Sequence, residues 1–419
     1  MRYGSLRVKE VLGFLSGTYM FQAMKFGGDF FSAKFLGPDL WGEWYFIYTL
    51  VTFSTLLAFG NINGSVLLIP QYYGEGNKSK YEIISKFTIG FTILLATLLI
   101  VLFFVTNFFI EGVFPYVFLA SAAFILYTMT NGMLRSFSFF NHISLGLLIM
   151  SMMYIMLPAS AYFYGSLELF AIVFFVVYFT GASLLSAKLK ILTFGSLRSE
   201  LSTFSQNKKL ISDTFRLGLP IAITGLSFLL YTSIDRLLIK YYFDDVELGY
   251  YSIAIMLLSG VLMIPKTIAQ MIYPRMSNSW GKYGNVKGMR YWIKKSKNYA
   301  IISIIPITII LYLLTPYLIE FFLPKYIVSI QYIKMLLLSG PAYIIIMGYG
   351  NALNVLKRQK NYLYIIISSI VFNLIVSLSI YYVNGSSLAF AIGTVLAYYY
   401  YALTLHFYTQ MILKKLKAQ

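Results

Sequence analysis

Charged side chains stand inside apolar stretches of this 419-residue chain, where a charge is costly unless it faces a polar interior or an aqueous cavity. Lys25 and Asp29 are four residues apart, so they lie on one face of a predicted helix. Asp235 and Arg236 are adjacent in another apolar stretch and need not face the same way. Such carboxylates can bind a coupling ion, and such cations can bind an anionic group.

Two further cations are candidates for binding an anionic substrate. Lys266 has no acid nearby in sequence, and facing lipid would be unfavourable by about 2.5–3.5 kcal/mol, which favours a cavity position. Arg135 lies near the predicted end of a span, where it can meet a phosphate but more commonly sets topology. The candidate substrate-binding residues are therefore Lys25, Lys266, Arg236 and Arg135, and the candidate coupling-ion residues are Asp29 and Asp235.

Structural alternatives stand beside these assignments. Lys25 and Asp29 also fit a plain structural ion pair, and Asp235 fits equally well as a tether for Arg236 or a neighbouring helix. Four consecutive tyrosines, 398–401, can line a path for sugars, although an interfacial belt or helix packing is the commoner role.

Several functional classes are excluded or disfavoured by what the sequence lacks. There is no cysteine, and His142 and His406 are too far apart for a metal-ligand motif, so we expect no metal and no cofactor. There is no G-x-x-x-x-G-K-[ST] loop for an ATP-driven pump. No long predicted outer loop carries paired carboxylates for acid–base work, so we expect no enzymatic activity.

The elements that must position these residues are membrane-spanning helices. Hydrophobic residues make up 59% of the chain and charged residues only 11%, against about 25% charged in soluble domains. A spanning helix needs about 20 mostly apolar residues. On that criterion the sequence predicts twelve spans, at 11–35, 41–69, 83–108, 113–133, 143–164, 167–187, 215–239, 248–273, 299–322, 330–355, 362–383 and 388–413.

The basic residues alternate between the two sides of this predicted bundle. Most of the 33 lysines and arginines fall at the chain ends and in the even-numbered loops, whereas the odd-numbered loops carry mainly acids. The positive-inside rule then places both termini in the cytoplasm. The net charge of +18 is therefore a topology signal, and we expect no nucleic-acid partner.

The chain also contains an internal repeat. Residues 29–47 and 235–253 share an order of features, in which an acid is followed five residues later by a lysine and then by a short acidic turn, a glycine and aromatic residues. The copies are about half the chain apart, which gives six spans to each half and a parallel repeat. We therefore predict an N-terminal six-helix lobe at 1–190, a cytoplasmic linker at 191–213 and a C-terminal six-helix lobe at 214–419.

Four motifs of the repeat resemble a known family. They are Ala33-Lys-Phe-Leu-Gly-Pro-Asp-Leu-Trp-Gly42, Ser233-Ile-Asp-Arg236, Ile69-Pro-Gln-Tyr-Tyr-Gly74 and Ile272-Tyr-Pro-Arg-Met276. Together, and in this order, they resemble the polysaccharide flippases of the multidrug/oligosaccharidyl-lipid/polysaccharide exporter superfamily. The resemblance implies an all-α, V-shaped bundle of two pseudo-symmetric lobes that moves an isoprenoid-pyrophosphate-linked oligosaccharide across the membrane.

One position departs from a branch of that superfamily. Lipid II flippases carry an Arg-Asp pair in the first span, whereas this chain has Gly28-Asp29, and its nearby cation is Lys25. The departure favours the O-antigen and capsule branch over the peptidoglycan branch.

The sequence thus predicts a flippase of a bacterial inner membrane that carries undecaprenyl-pyrophosphate-linked repeat units to the outer leaflet by alternating access. Its expected partners are that cargo, membrane lipid, and the polymerase and glycosyltransferases of the same pathway. One alternative is a cation-coupled multidrug exporter of the same superfamily, which would have a mainly acidic cavity. Another is a membrane glycan polymerase or transferase, which the short predicted outer loops disfavour.

Overall fold

The structure is a computed structural model that describes residues 8–189, 207–283, 286–356 and 358–418. Within these ranges the chain forms α-helices, short 3-10 helices and connecting turns, with no β-strand. The helices are α1 Val8–Phe53, α2 Asn61–Gly74, α3 Lys78–Phe109, α4 Tyr116–Ser136, α5 Phe140–Met153, α6 Met156–Tyr164, α7 Leu167–Ser186, α8 Lys208–Tyr231, α9 Ile234–Tyr242, α10 Asp245–Tyr283, α11 Val286–Phe322, α12 Ser329–Leu337, α13 Gly340–Val355, α14 Gln359–Asn384 and α15 Leu388–Ala418.

The first helix folds back on itself at Gly37. This glycine has φ 82° and ψ 172°, and Pro38 follows it. The left-handed φ is one that glycine adopts without a steric penalty. The Nζ of Lys25 lies 4.8 Å from the centre of the Tyr48 ring, although a straight helix would separate these residues by about 35 Å. The 46 residues of α1 therefore make two antiparallel passes.

The predicted all-α membrane architecture is confirmed. By length and composition, nine helices of the described residues can cross a membrane, or eleven when two bent pairs each count as one span. One bent pair joins Ser16–Ala58 to Asn61–Tyr73 and contains the reversal at Gly37. Since the reversal divides that pair into two passes, the described helices accommodate the twelve passes that the sequence predicts.

Hydropathy misses two features of these helices. Three predicted spans are broken in the structure: 143–164 forms α5 and α6, 215–239 forms α8 and α9, and 330–355 forms α12 and α13. The predicted loop 274–298 is largely helical, because α10 continues to Tyr283 and α11 begins at Val286. Hydropathy detects the apolar part of a helix alone, whereas lysine and arginine are good helix formers and extend it past that part.

The contacts divide the chain into two compact units. The N-terminal unit comprises 1–36 and 47–226, and the C-terminal unit comprises 37–46 and 227–419. In the N-terminal unit α4 packs against α3 and α7, and in the C-terminal unit α14 packs against α15 and α11 against α13. The lobe boundaries predicted from the sequence stay a prediction, and most of the predicted linker, 191–206, lies outside the described residues.

Candidate substrate and ion sites

The N-terminal unit brings the predicted pair Lys25 and Asp29 together with a tyrosine. Lys25 Nζ donates to Asp29 Oδ2 at 2.5 Å, and the Tyr154 hydroxyl donates to the other oxygen, Oδ1, at 2.8 Å. Lys25 Nζ also lies 3.3 Å from Tyr154 Oη and above the Tyr48 ring. Both carboxylate oxygens of Asp29 are therefore engaged, and the lysine is held by hydrogen bonding and cation–π attraction together. We call Lys25, Asp29 and Tyr154 the lysine cluster.

A glycine and a helix break position Tyr154. The residue lies in the short turn between α5 and α6, where its backbone keeps right-handed helical angles and its N–H donates to the Met150 carbonyl at 2.9 Å. A Cβ on Gly28 would come within 2.7 Å of the Tyr154 ring. The ring thus occupies the space that any larger residue at position 28 would need.

The lysine cluster is reachable from the surface of its unit. The side chains of Lys25 and Asp29 are 24% and 17% exposed, whereas the Tyr154 ring is buried. A sealed structural ion pair would leave the ammonium inaccessible. Here part of the Lys25 side chain is exposed, so the pair is not sealed from the surface of its unit.

The C-terminal unit buries the second predicted acid, Asp235. Its side chain is 3% exposed, in the first turn of α9. The Tyr251 hydroxyl of α10 donates to Asp235 Oδ2, and Thr394 Oγ1 of α15 lies 3.3 Å from the same oxygen. The backbone N–H of Arg236 donates to Oδ1 at 2.8 Å. We call Asp235, Tyr251 and Thr394 the aspartate cluster.

Further polar side chains extend the aspartate cluster into α14. Asn373 Nδ2 lies 3.4 Å from Thr394 Oγ1, and Ser377 donates to Asn373 Oδ1 at 2.8 Å. Asn373 and Ser377 are buried. The result is a buried row of carboxylate, hydroxyl and amide oxygens contributed by α9, α14 and α15. Hard cations such as Na⁺ take oxygen ligands of these kinds, and a carboxylate can alternatively carry a proton.

Arg236 is held by the break that precedes it. Its Nη2 donates to the Thr232 carbonyl at 2.7 Å and to Ser233 Oγ at 2.9 Å, and its guanidinium lies 5.5 Å from the centre of the Tyr45 ring. Helix α8 ends at Tyr231 and α9 begins at Ile234, so carbonyls near the break lack helical partners. The arginine supplies one of them with a donor. These bonds give Arg236 a structural role, since they satisfy polar groups at the break between α8 and α9. Its role in substrate binding stays a prediction.

The other two predicted cations, Lys266 and Arg135, lie on α10 and α4. Lys266 is exposed on α10, and no ion pair joins it to a carboxylate of the described residues. Arg135 is exposed in the last turn of α4, where a cation also complements the helix dipole. Within the described ranges, no group of three histidine, cysteine, aspartate or glutamate residues can hold a metal ion.

Two family models match this membrane chain. The model described as polysaccharide biosynthesis protein matches residues 8–280, which is more than half of the chain. The chain belongs to the polysaccharide biosynthesis protein family. A second model, MatE, matches residues 220–379. No curated protein matches the chain.

Solved structures of two transporters and a flippase share the fold of this polysaccharide biosynthesis protein. An inward-facing multidrug resistance MATE family transporter of the MOP superfamily is 15% identical, with 95% of this chain and 96% of that chain covered and a TM-score of 0.77. The lipid II flippase MurJ is 16% identical, with 95% and 87% covered and a TM-score of 0.71. A MOP superfamily transporter from Pyrococcus furiosus is 15% identical, with 97% and 95% covered and a TM-score of 0.64. The chain is thus a multi-pass membrane protein of the polysaccharide biosynthesis protein family, with the fold that these transporters and this flippase share.

Sequence reasoning found the acids of this family member but missed their partners. Tyr154 and Tyr251 are two of 37 tyrosines, and nothing in their local sequence distinguishes them. Asn373 could have been recognised from the sequence, because an amide in the middle of the predicted span 362–383 needs a hydrogen-bond partner.

Proposed function

We propose that this protein translocates undecaprenyl-pyrophosphate-linked oligosaccharide repeat units from the cytoplasmic to the outer leaflet of a bacterial inner membrane by alternating access. The observation that carries the proposal is the family match over residues 8–280, because it joins polysaccharide biosynthesis to a multi-pass membrane chain. The lipid II flippase among the structural neighbours supports a lipid-linked cargo. Both chain ends would lie in the cytoplasm, where the pathway's glycosyltransferases deliver cargo.

In this proposal the intramembrane cations bind the pyrophosphate. Lys25 is the first candidate, since its side chain is partly exposed and its ammonium is oriented by Asp29 and Tyr154. Lys266 is the second, since it is exposed without a carboxylate partner among the described residues. A lysine acts on phosphate as a point charge and needs no fixed bidentate geometry. Arg236 and Arg135 are the remaining candidates.

Asp235 is the proposed site of ion coupling. Its burial beside Thr394 and Asn373 supports the binding of a dehydrated Na⁺ or of a proton, either of which would neutralise the carboxylate. Asp29 is the second candidate, but Lys25 already balances its charge.

Reconstitution tests the transport step directly. The purified protein is placed in proteoliposomes that contain an undecaprenyl-pyrophosphate-linked oligosaccharide, and a membrane-impermeant sugar-modifying reagent reports the fraction in the outer leaflet. We expect that fraction to relax faster with the protein than in protein-free vesicles. Equal relaxation in both, with sodium and proton gradients imposed in turn, would contradict the proposal.

A cation-coupled multidrug exporter is the second candidate function. The MatE match over residues 220–379 and the MATE transporters among the structural neighbours favour it. It predicts gradient-driven efflux of cationic dyes from the same vesicles and drug sensitivity on deletion. The cations Lys25 and Lys266 disfavour it, since they would repel such substrates. A polymerase or transferase would instead change the length of the glycan in the purified system.

A further inference from the structure

A cavity lies at the surface of the N-terminal unit, and its lining includes no residue of the lysine cluster. It has a volume of about 250 Å³ and lies between α3 and α7, with α4 as its floor. Its walls are mostly apolar and include Ile93, Ala96 and Ile100 of α3, Met129 of α4, and Phe179 and Ser183 of α7. The volume is below the ~300–1,000 Å³ of pockets that enclose a drug-sized ligand, so it suits a segment of one hydrocarbon chain.

The cavity opens onto the hydrocarbon-facing surface of its unit. Phe179 and Ser183 at its rim are exposed. The surface of α3 beside it carries Leu94, Leu98 and Val101, which are 68%, 53% and 51% exposed. A run of exposed apolar side chains on a long apolar helix indicates a surface that contacts lipid. Whatever fills the cavity therefore enters from the bilayer.

Polar groups lie at one end of this cavity. Lys86 is exposed and occupies the same face of α3 as Ile93 and Ile100, two turns before Ile93. Ser183 and Ser186 lie in the last turn of α7 and line the cavity together with Ile89, its first lining residue on α3. Under the predicted topology this is the cytoplasmic end. A lysine there can extend its ammonium to the headgroup level while its stem remains in hydrocarbon.

We propose that this cavity is the docking site for the polyprenyl chain of the cargo in the cytoplasmic leaflet, with Lys86 binding its phosphate. This inference rests on the proposed function. A lipid-linked sugar must keep its polyprenyl chain in hydrocarbon while its headgroup leaves the leaflet. The polyprenyl chain therefore needs an apolar binding site that opens to lipid. The small volume and the cation on the same face of α3 match a prenyl phosphate better than a two-chain phospholipid.

Photocrosslinking tests the site with a photoreactive undecaprenyl phosphate on the full-length protein in nanodiscs of neutral lipid. We expect crosslinks within 89–100 of α3 and 179–186 of α7. Ser183→Phe adds a ring at the exposed rim of the cavity. It should lower the affinity for the photoreactive undecaprenyl phosphate on the order of tenfold without affecting folding. Leu98→Phe adds a ring on the exposed face of α3 beside the cavity. It is the matched control and should leave that affinity unchanged. Crosslinks spread evenly over all lipid-facing helices would overturn the inference.

The phosphate contact has its own pair of variants. Lys86→Gln should weaken binding of undecaprenyl phosphate but not of undecaprenol, which has no charge. Lys80→Gln, at a second exposed lysine of α3, should weaken neither. Displacement of the probe by an equal concentration of phosphatidylglycerol would assign the cavity to ordinary phospholipid and overturn the proposal. Because the probe carries no sugar, its binding is scored independently of translocation, so failure of the proposed function and failure of this site give different results.

Discussion

At the scale of single residues, the two intramembrane acids have different surroundings and therefore suit different work. Asp29 is half-buried and neutralised by Lys25, whose side chain is partly exposed. Asp235 is buried, its oxygens accept from Tyr251 and from the backbone of Arg236, and a threonine lies beside it. A lysine with a partly exposed side chain suits contact with an anionic cargo, whereas a buried carboxylate among oxygen ligands suits the binding of a cation.

Replacing Lys25 tests the cargo contact. Lys25→Ala should lower the rate of translocation in proteoliposomes on the order of tenfold, the effect of losing one charged hydrogen bond. Lys34→Ala is the matched control, because Lys34 is an exposed lysine of the same helix and forms no ion pair among the described residues. Equal rates for Lys25→Ala and the unaltered protein would remove Lys25 from the site.

Two adjacent glycines test the position of Tyr154. Gly28→Ala should displace the Tyr154 ring from Asp29 and slow translocation, because the new Cβ would lie 2.7 Å from that ring. Gly27→Ala places its Cβ in open space and should leave the rate unchanged. Both changes raise helix propensity equally, so helix stability cannot explain a difference between them. The contact is unimportant for transport if the two variants behave alike in the reconstituted assay.

Removing the charge of Asp235 tests ion coupling. Asp235→Asn should abolish the acceleration that a sodium or proton gradient gives, since the amide carries no charge for the ion to balance. Asp39→Asn changes an exposed carboxylate and should retain the gradient response. Initial rates with and without each gradient are the measurement. A gradient response that survives in Asp235→Asn would assign coupling elsewhere, with Asp29 as the next candidate.

At the scale of elements, breaks in the helices adjoin both clusters. The turn between α5 and α6 carries Tyr154, and the turn between α8 and α9 lies just before Asp235. Discontinuous helices of this kind place polar side chains and free backbone groups inside a membrane protein. The sequence predicted single continuous spans at both places, because a break of two residues barely changes hydropathy averaged over a span.

A second set of hydrogen bonds ties three helices of the C-terminal unit together. Tyr332 of α12 donates to Glu247 in the first turn of α10, and Ser387, just before α15, donates to the same carboxylate at 2.5 Å. Tyr332 is fully buried, so its hydroxyl has no water to replace these partners. The set fixes the ends of α10, α12 and α15 relative to one another.

Tyr332→Phe tests that tie, because it removes the hydroxyl and keeps the ring. We expect the melting temperature of the detergent-solubilised protein to fall by roughly a few degrees, as for the loss of one buried hydrogen bond. Tyr241→Phe, at a tyrosine that is 80% exposed, is the control and should leave the melting temperature unchanged. No difference between the variants would mean that the bond adds nothing to stability.

At the scale of the whole molecule, the two copies of the repeated motif meet in the structure. A Cβ on Gly42 would overlap the backbone of Asp245, and a Cβ on Gly249 would overlap the backbone of Pro38. All four residues belong to the C-terminal unit. The glycines that match in the sequence repeat are thus the ones that let the two copies approach closely.

The sequence was sufficient for the helical architecture, because spanning helices and the charge bias of their loops leave strong periodic and compositional signals. It also located Asp29 and Asp235, since an acid in an apolar stretch is conspicuous. It could not supply Tyr154, which reaches Asp29 from another helix 125 residues away. Such pairings depend on how helices pack, and neither hydropathy nor spacing encodes that packing.

Depletion of this protein in the cell shows most directly whether it moves a lipid-linked glycan between leaflets. Undecaprenyl-linked glycans that accumulate are identified by mass spectrometry, and a membrane-impermeant probe reports which leaflet they occupy. We predict build-up of a complete repeat unit on the cytoplasmic face, which would also identify the cargo. Unpolymerised units that already face outward would contradict translocation by this protein and indicate a polymerase or transferase. Unchanged amounts of undecaprenyl-linked glycans would contradict it and indicate an exporter.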